Sequence, residues 1–600
     1  MQETQPTAPG ARLPDRRTAS GPAELPDLQT AKGSAWLTDP VLLAGLVAVA
    51  AANALLWAFT IPFNEAPDEA AHFQVVRFIL DHGRLPVFHP DDIWLLNTSK
   101  GVVESYAPFP PLAYVVGALA SQLTDGTMWG ARLVSSTSYV ATVALTFLIA
   151  RHLVPRSVVV AVCAALVVAF LPQFAFTAAY VNNDAIGVAL SALLFYLLIR
   201  LRSGEYGVWL LLGIGATAGA LLLTKYTFYP AAAVGFIVAA LQARRPIPVT
   251  ALFVGAAAIC GWWFARNLML YGELVPVRVI AEAKAAAGGN TLFVPADYGI
   301  TLLDLSVRTD FWWASFTSFV GKFGFLSIEM HPGYYLACLA LVALALAGRL
   351  VRLRVRPRGP DDLAAFGFGL AVLGGTAIFA IASSAYGEYS PQGRYLFAAL
   401  VPVAIGLVVG WSWLGALAPA LRMVPIGATL WLIVLNFVAL FEYVIPVYFG
   451  DGAGRVVMQL DPPPDSTANP AEVEGWALIE GGFPWRPYWP AAVAAYREPA
   501  AEVRVSEDSP PPDGRLLSTG HYGLKRTDVA DFYGGFRGLE NVGYRVSWPQ
   551  GLLQDRADLP QELMHNRRVD IFICASAPGA KTGCAGVHAV VDSADDHTRA

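Results

Sequence analysis

Charged side chains are scarce in this sequence of 600 residues, where Asp, Glu, Lys and Arg together make up only 14%. Soluble domains carry about 25% charged residues on average, so a wholly soluble globular protein is excluded. The formal net charge is −5 and no basic arm or stripe is present, which argues against nucleic-acid binding. With 55% hydrophobic residues, the composition indicates a polytopic membrane protein with some soluble mass attached.

Cysteine is also rare, with five in the whole chain. Cys163, Cys260 and Cys338 lie in apolar segments, where we expect small core hydrophobes. Cys574 and Cys584 lie in the polar C-terminal region and can form a disulfide if that region is extracytoplasmic. No Cys pair or His-x-x-x-His pattern accompanies the acidic residues near the first apolar run, so no metal ligands are assigned and a divalent cation stays an open alternative.

Long apolar runs dominate what is present. A helix needs about 20 apolar residues to cross the hydrocarbon core of a bilayer, and this length predicts about eleven spans. The predicted spans are 41–62, 131–150, 157–178, 184–201, 207–223, 227–242, 248–265, 334–350, 363–384, 394–414 and 424–447. The apolar segment 111–123 is too short to cross comfortably, and we expect it to lie in the interface.

The arginines of the short loops set the predicted orientation. If segment 111–123 stays in the interface, the arginine-bearing loops fall on one side, which the positive-inside rule assigns to the cytoplasm. These arginines are Arg151, Arg156, Arg200, Arg202, Arg244, Arg245, the five arginines of 349–358, and Arg422. The sequence therefore predicts a cytoplasmic N-terminus and an extracytoplasmic C-terminal region.

The chain divides into three predicted regions. Residues 1–38 are rich in Pro, Ala, Gly and Thr and lack apolar periodicity, which indicates a disordered cytoplasmic tail before an uncleaved first span. Residues 39–450 are the predicted transmembrane domain, with outer loops at 63–130 and 266–333. Residues 451–600 turn polar and form a third, extracytoplasmic region.

The segment FNEAPDEAAHF (63–73) places Asp68, Glu69 and His72 just beyond the first span. Carboxylates in the first turn of a helix are favoured by its dipole and Pro67 suits that turn, so a structural role explains the pattern. His72 follows Asp68 by four residues on the same face. That spacing also fits an ion pair, half of a metal site, or a general base with a supporting group.

Further polar residues fall on the same predicted outer side. They are Asn183, Asp184, Lys225, Tyr226, Lys322, Glu329, His331, Gln392 and Arg394. Polar groups at membrane depth are costly and usually functional, so their gathering predicts one site. Plainer interpretations stand beside this one, namely a helix cap for the Asn and Asp, headgroup contact for the cations, and an interfacial belt for the aromatic residue.

Several motifs carry a resemblance to a known class of enzymes. They are PDEAAHF (67–73), YAPFPPLAYV (106–115), ARLVSS (131–136), FWW (311–313) with FVGKFGF (319–325), and SPQGRYLFAALVP (390–402). In order and spacing they resemble the GT-C class of integral membrane glycosyltransferases, which includes protein O-mannosyltransferases and aminoarabinose transferases. They are closer still to an uncharacterised bacterial membrane protein family related to these enzymes. The resemblance covers about 40–450.

The resemblance implies an enzyme of the bacterial plasma membrane that moves a sugar from a polyprenyl-phosphate donor to a surface glycan, lipid or protein acceptor. It implies that the catalytic general base lies in the first outer loop, at Asp68 with Glu69 beside it. It also implies a second acid at Asp184. Cations at outer helix ends would hold the departing phosphate, with Arg394 after Gln392 the best placed and Lys225 and Lys322 as further candidates.

Two other functions fit parts of the sequence. A polysaccharide polymerase or ligase uses similar lipid-linked substrates, but typically relies on Arg and His pairs in place of an acidic dyad. A non-enzymatic lipid-linked glycan transporter is expected to show internal repeats and interrupted midplane helices. No such repeat is evident in this sequence. The glycosyltransferase therefore remains the leading hypothesis.

The C-terminal region carries its own pattern. After PPP (462–464), short alternating stretches at 473–479, 501–507, 542–548 and 569–576 predict a small all-β sandwich. GWAL, RTDVADFYGGF (526–536) and VDIFICAS resemble β-sandwich modules appended to bacterial surface glycosyltransferases. The resemblance implies acceptor-sugar binding, for which Trp476, Trp485 and Trp489 are candidates, although core packing explains tryptophans equally well.

Overall fold

The computed structural model describes residues 35–89, 92–93, 95–98, 101–243, 246–286, 294–355, 360–449, 454–461, 472–481, 486–488, 492–497, 515–519, 521–524, 543–547, 567–576, 580–581 and 583–591. Several predicted features lie outside these residues. They are the tail up to residue 34, Arg244, Arg245, Arg356, Arg358, the linker 462–464, the stretches 501–507 and 526–536, and Trp485 and Trp489.

The described part of the chain is mainly helical. Its α-helices are α1 Ala35–Thr60, α2 Glu69–His82, α3 Leu112–Ser121, α4 Met128–Leu153, α5 Val158–Ala169, α6 Pro172–Thr177, α7 Asp184–Arg202, α8 Val208–Leu222, α9 Tyr229–Ala243, α10 Pro246–Tyr271, α11 Val277–Ala286, α12 Leu302–Val307, α13 Thr309–Gly321, α14 Pro332–Val355, α15 Pro360–Tyr386, α16 Leu400–Leu414, α17 Val424–Val438 and α18 Ile445–Phe449. A π-helical turn, Ala439–Val444, joins α17 to α18.

Nine helical segments of the described chain are long and apolar enough to cross a membrane, and they match nine of the predicted spans. They are Asp39–Thr60, Met128–Leu153, Asp184–Arg202, Tyr226–Ala243, Val249–Tyr271, Pro332–Val355, Phe366–Tyr386, Gly393–Leu414 and Pro419–Tyr448. The apolar helix Leu112–Thr124 is shorter than these, and its place in the interface stays a prediction.

The two remaining predicted spans differ from expectation because their helices are short. The predicted span 157–178 is divided into α5, of 12 residues, and α6, of six. The break falls at Leu171, which precedes Pro172, and a residue before proline is driven out of the α region. The predicted span 207–223 becomes α8, a helix of 15 residues.

Buried polar and small residues fix how the helices pack. The Asn53 amide on α1 donates to the Tyr139 hydroxyl at 3.0 Å and to the Ala169 carbonyl at 3.1 Å, which joins α1 to α4 and α5. Where α14 crosses α16, a Cβ on Gly348 would lie 1.8 Å from the Gly410 carbonyl oxygen. Only glycine lets the two backbones approach so closely, as is common between membrane helices.

The C-terminal strands form two sheets. The strands of the described chain are β1 Leu95–Thr98, β2 Gly101–Glu104, β3 Lys322–Phe323, β4 Ile328–Glu329, β5 Gly454–Leu460, β6 Glu472–Gly481, β7 Arg486–Tyr488, β8 Ala492–Arg497, β9 Arg515–Thr519, β10 His521–Leu524, β11 Gly543–Ser547, β12 Arg567–Ser576, β13 Ala580–Lys581 and β14 Gly583–Val591. One sheet has the order β10-β11-β6-β5-β13 with β7 on β6, and the other has the order β14-β12-β8-β9. Their assembly into a sandwich stays a prediction.

Trp476, a candidate for sugar stacking, lies on β6 and is only 5% exposed. Its register neighbours are Gln459 on β5 and Gly543 on β11. A buried indole has no free face for a sugar, so its position favours the packing interpretation.

Candidate functional site

The site begins at the turn between α1 and α2, where the chain leaves the first candidate span. Asn64 and Asp68 both adopt left-handed backbone conformations, with φ of 61° and 62°. The helix starts at Glu69, so Pro67 and Asp68 precede its first turn, whereas the sequence pattern places both within it. Non-glycine residues in this conformation are uncommon, and Asn and Asp tolerate it best.

A buried ion pair fastens this turn to the bundle. Glu69 is fully buried and accepts hydrogen bonds from Arg132 Nε at 2.7 Å and Nη2 at 2.8 Å. It also accepts from the backbone N–H groups of Asn64 at 3.0 Å and Val181 at 2.9 Å. A carboxylate has about four acceptor directions, so Glu69 has none left for a substrate.

Arg132 is equally saturated. Its remaining N–H groups donate to the carbonyls of Ala58 and Ile61 at 2.9 Å each, and to Pro62 at 3.4 Å. Carbonyls at the C-terminal end of a helix lack intrahelical hydrogen-bond donors. Arg132 donates to the carbonyls at the end of α1 and just beyond it. The Glu69–Arg132 pair therefore holds α1, α4 and the approach to α7 in one arrangement and sets the position of Asp68.

Asp68 differs from Glu69 in being accessible. Its side chain is 32% exposed, and its Oδ2 accepts a hydrogen bond from the Tyr106 hydroxyl at 3.0 Å. Burial, and then the Asp68 charge, raise the pKa of Tyr106 well above its ordinary value, so the phenol keeps the proton it donates. Within the described residues, Asp68 Oδ1 accepts no hydrogen bond from the protein, which leaves it available to a ligand.

A second carboxylate lies at the start of α7. Asp184 is 1% exposed, and Lys225 Nζ contacts both of its oxygens, at 2.9 and 3.0 Å. The Asn182 Oδ1 caps this helix by accepting from the backbone N–H groups of Asp184 and Ala185. The sequence predicts a helix cap within Asn182, Asn183 and Asp184, and in the structure Asn182 supplies it.

Arg394 lies between the two aspartates. Its Nη1 is 3.7 Å from Asp184 Oδ2, and its Nη2 is 3.9 Å from Asp68 Oδ2. Both distances exceed a hydrogen bond. Its Nε donates to Gln392 Oε1 at 2.5 Å, and no hydrogen bond within the described chain engages Nη2. The Arg394 side chain is 11% exposed, and its guanidinium keeps donors for an anion.

Gly393 brings Arg394 to this place. A Cβ on Gly393 would lie 2.2 Å from the Phe319 backbone nitrogen and 2.3 Å from the Ser315 carbonyl oxygen. Its own N–H donates to Ser318 Oγ at 2.8 Å. The turn that carries Arg394 therefore rests directly on the backbone of α13, and only glycine fits there.

His72 belongs to a buried polar chain beside Asp68. Its ring packs against Tyr106 at an interplanar angle of 39°, with centroids 4.1 Å apart, and its Nδ1 lies 2.9 Å from the Tyr114 hydroxyl. Asn183 Nδ2 donates to the same hydroxyl at 3.4 Å. Burial, and then the charges of Lys225 and Arg394, hold the pKa of His72 well below its ordinary value, so the imidazole is neutral. His72 thus contacts Tyr114 and does not pair with the Asp68 carboxylate.

An open pocket lies next to Arg394. It is shallow, and most of the roughly 230 Å³ of space along its walls is open to solvent. Its lining residues are Pro67, Gln173, Tyr180, Ser318, Leu326, Gln392, Gly393 and Arg394. One guanidinium, two amides and two hydroxyls give this pocket hydrogen-bonding walls suited to a polar ligand.

The other predicted residues lie around this centre. Lys322 and Glu329 face each other on the β3–β4 hairpin, 2.5 Å apart, and so pair with each other. The His331 ring accepts from the Gly333 N–H at the start of α14 and is exposed. Tyr226 donates to the Pro108 carbonyl at 3.2 Å. In the described chain, no group of three or more His, Cys, Asp or Glu side chains is arranged to hold a metal ion.

Sequence reasoning missed three contributors to the site, namely Arg132, Tyr106 and Tyr114. Arg132 gave a usable signal, because a charged residue inside a predicted span is costly unless it is paired. The two tyrosines belong to the motif YAPFPPLAYV, but nothing in their spacing distinguishes them from interfacial aromatics.

Several solved structures are similar to this chain. The solved structures to which the chain is similar include ArnT from Cupriavidus metallidurans bound to undecaprenyl phosphate, at 14% identity and a TM-score of 0.33, covering 66% of this chain and 78% of that one. They also include the Archaeoglobus fulgidus oligosaccharyltransferase in the apo form, at 15% identity and a TM-score of 0.35, covering 69% and 56%. A comparison with curated proteins finds no match.

A family model supplies the remaining comparison. The model described as "Predicted membrane protein (DUF2142)" matches residues 92–403, which include α4, α7 and the Arg394 turn. This match confirms the predicted membership in an uncharacterised membrane protein family. The chain belongs to the DUF2142 family of membrane proteins.

Proposed function

We propose that this protein is a GT-C-type glycosyltransferase that passes a sugar from a polyprenyl-phosphate donor to an acceptor hydroxyl outside the plasma membrane. The observation that carries the proposal is the pairing of an accessible carboxylate, Asp68, with a guanidinium, Arg394, that keeps free donors 3.9 Å away. An acid–base group beside an anion-binding group is what transfer from a phosphate carrier requires. The donor class follows the resemblance carried by the motifs.

In the proposed reaction, Asp68 Oδ1 accepts the proton of the acceptor hydroxyl as its oxygen attacks the anomeric carbon. The bond between that carbon and the phosphate oxygen breaks, and the polyprenyl phosphate departs with the bonding electron pair. Arg394 donates to the departing phosphate, and Tyr106 keeps Asp68 oriented through its 3.0 Å hydrogen bond. Glu69 has no place in this step because its acceptor directions are occupied.

The positions of the span ends support a single outer site. Asp184 is the first residue of one candidate span, Arg394 is the second residue of another, and Lys225 immediately precedes a third. Because Asp184 contacts Lys225, α7 leads away from the site and α8 returns to it. In the proposed topology the shorter helices α5 and α8 also cross, giving eleven passes, a cytoplasmic N-terminus and an extracytoplasmic C-terminal region.

The test is transfer by full-length protein in proteoliposomes that contain a panel of undecaprenyl-phosphate-linked sugars, with release of free undecaprenyl phosphate as the measurement. Asp68→Asn keeps the side-chain shape, tolerates the left-handed backbone and still accepts from Tyr106, so the fold is preserved. We expect Asp68→Asn to lower the rate by about 100-fold or more, since general bases contribute that much. Donor binding should persist.

The matched control is Asp81→Asn, which lies near the end of α2, the helix that follows Asp68, and is exposed and paired with Arg77 at the surface. Loss of a surface ion pair changes stability little, so its rate should equal that of the unaltered protein. A rate for Asp68→Asn that equals the Asp81→Asn rate would remove Asp68 as the base. Transport of the lipid-linked sugar without release of undecaprenyl phosphate would favour the transporter hypothesis.

A further inference from the structure

The β3–β4 hairpin has a strained tip that faces the pocket. Leu326 adopts a left-handed conformation with φ of 64°, which is unfavourable for a residue with a bulky side chain. Leu326 also lines the pocket beside Arg394. Strained backbone that persists in a fold clusters at ligand-binding and catalytic positions, so this conformation calls for a functional reason.

The hairpin is held rigidly in front of the pocket. The Tyr335 hydroxyl donates to the Gly321 carbonyl at 2.7 Å and accepts from the Met330 N–H at 3.0 Å, so one phenol ties both ends of the hairpin together. The Lys322 N–H donates to Gln173 Oε1 at 2.7 Å, which anchors the first strand to a pocket wall. The tip is therefore presented in a fixed place.

The pocket is polar on one side and apolar on the other. Arg394, Gln392, Ser318 and Tyr180 supply charge and hydrogen-bonding groups, whereas Leu326 and Pro67 supply an apolar edge. Both apolar residues are half-buried, so each keeps surface for a ligand. A ligand that matches both sides carries an anion at one end and a hydrocarbon chain at the other.

The hairpin also lies where hydrocarbon is available. The candidate span Pro332–Val355 begins two residues after Met330, and the candidate span Gly393–Leu414 begins at the pocket itself. Phe325, next to Leu326, is 41% exposed although it is a large apolar residue. The apolar edge is therefore at the level where two candidate spans start, within reach of a chain that leaves the bilayer.

We propose that Leu326 and Pro67 form an isoprenoid-binding edge, which holds the first isoprene units of the donor while Arg394 holds its phosphate. This inference rests on the proposed function and adds the residues that distinguish a prenyl phosphate from a free phosphate. Leu326 keeps its strained conformation because the tight hairpin aims its side chain at the bound chain.

Leu326→Asn tests the edge without disturbing the fold. Asn has a similar size, favours the left-handed conformation and removes the apolar surface, so thermal stability should be retained or raised. The probes are farnesyl phosphate, dodecyl phosphate and inorganic phosphate, titrated into detergent-purified full-length protein by calorimetry. We expect Leu326→Asn to weaken farnesyl phosphate binding roughly tenfold and to leave inorganic phosphate binding unchanged.

Leu303→Asn is the control, because Leu303 is 72% exposed and does not line the pocket. Its binding of all three probes should match that of the unaltered protein. If Leu326→Asn keeps the full preference for farnesyl phosphate over inorganic phosphate, the proposed isoprenoid-binding edge is wrong. An equal loss with dodecyl phosphate would also overturn it, since any bilayer phospholipid chain would then serve.

Arg394→Gln separates this inference from the proposed function. If it abolishes binding of all three probes while Leu326→Asn has no effect, the phosphate site stands and the isoprenoid edge fails. If Arg394→Gln leaves all three affinities unchanged, the phosphate site of the proposed function fails, whatever Leu326→Asn does.

Discussion

Glu69 and Arg132 form a two-pronged ion pair, at 2.7 and 2.8 Å, with side chains 0% and 1% exposed. The pair joins the turn that carries Asp68 to α4. Every hydrogen-bonding direction of both side chains is used within the protein, so neither can be replaced alone without leaving a buried charge.

We expect Arg132→Met to destabilise the protein by about 3–5 kcal/mol, because Glu69 would stay buried without its counter-charge. The measurement is thermal unfolding in detergent micelles. Arg77→Met is the control, since Arg77 pairs with Asp81 at the surface and its loss should cost about 0–1 kcal/mol. Equal melting temperatures for the two variants would contradict the structural role of the pair.

Stability should fall as the pH drops below about 6.5, because His72 is neutral in the folded protein and takes up a proton when it unfolds. Its folded pKa is depressed, so the unfolded state binds more protons and folding loses up to about 1.4 kcal/mol for each pH unit below 6.5. Melting temperatures at pH 7 and pH 5.5 measure this dependence.

His72→Gln should flatten that dependence, because the titrating group is gone. His152→Gln, at an exposed histidine that contacts Ser203, should leave the slope unchanged. A slope for His72→Gln as steep as that of the unaltered protein would assign the pH dependence to other groups.

Gly393→Ala should disable the site without touching a charged group. The added methyl would lie 2.2 Å from the Phe319 nitrogen, so the turn must move and take Arg394 with it. We expect farnesyl phosphate binding to fall at least tenfold, measured by calorimetry. Gly374→Ala is the control, since a Cβ there has no neighbour within 4 Å. Unchanged affinity in Gly393→Ala would show that Arg394 does not hold the anion.

Cys574 and Cys584 lie directly opposite each other on the neighbouring antiparallel strands β12 and β14. Residues that pair in this way have backbones within reach of a disulfide. We expect the protein, purified from an oxidising compartment, to resist alkylation at both cysteines until it is reduced, as read by peptide mass spectrometry. Labelling of both residues before reduction would contradict the bond and the outer location of this region.

The sequence predicts the broad architecture because bilayer thickness demands long apolar runs, and nine of those runs are candidate spans in the structure. It also predicts that Asp68, Asp184, Lys225 and Arg394 share one side. That prediction depends only on which ends of the spans are polar. Pro172 indicates a helix break at Leu171, but the apolar run 157–178 is long enough to predict one continuous span.

The detailed geometry of the site could not be predicted from the sequence, because it depends on tertiary contacts. Asp68 and Glu69 are adjacent, and the sequence alone does not distinguish their roles. In the structure, the left-handed turn leaves the Asp68 carboxylate accessible, whereas the Glu69 carboxylate is buried in its ion pair with Arg132. The sequence gives no indication of the left-handed conformation at Leu326, since an apolar residue between Phe325 and Ser327 is compatible with many backbone conformations.

The four charged groups at the centre of the site cancel one another, with the carboxylates of Asp68 and Asp184 facing the cations of Lys225 and Arg394. Such a balanced cluster projects little field beyond a few ångströms, so it cannot draw an anion from the surrounding water. The polyprenyl-phosphate donor that we propose would instead arrive by lateral diffusion within the bilayer and meet Arg394 at contact range. The rate of encounter is then set by the abundance of the ligand in the membrane and is insensitive to ionic strength.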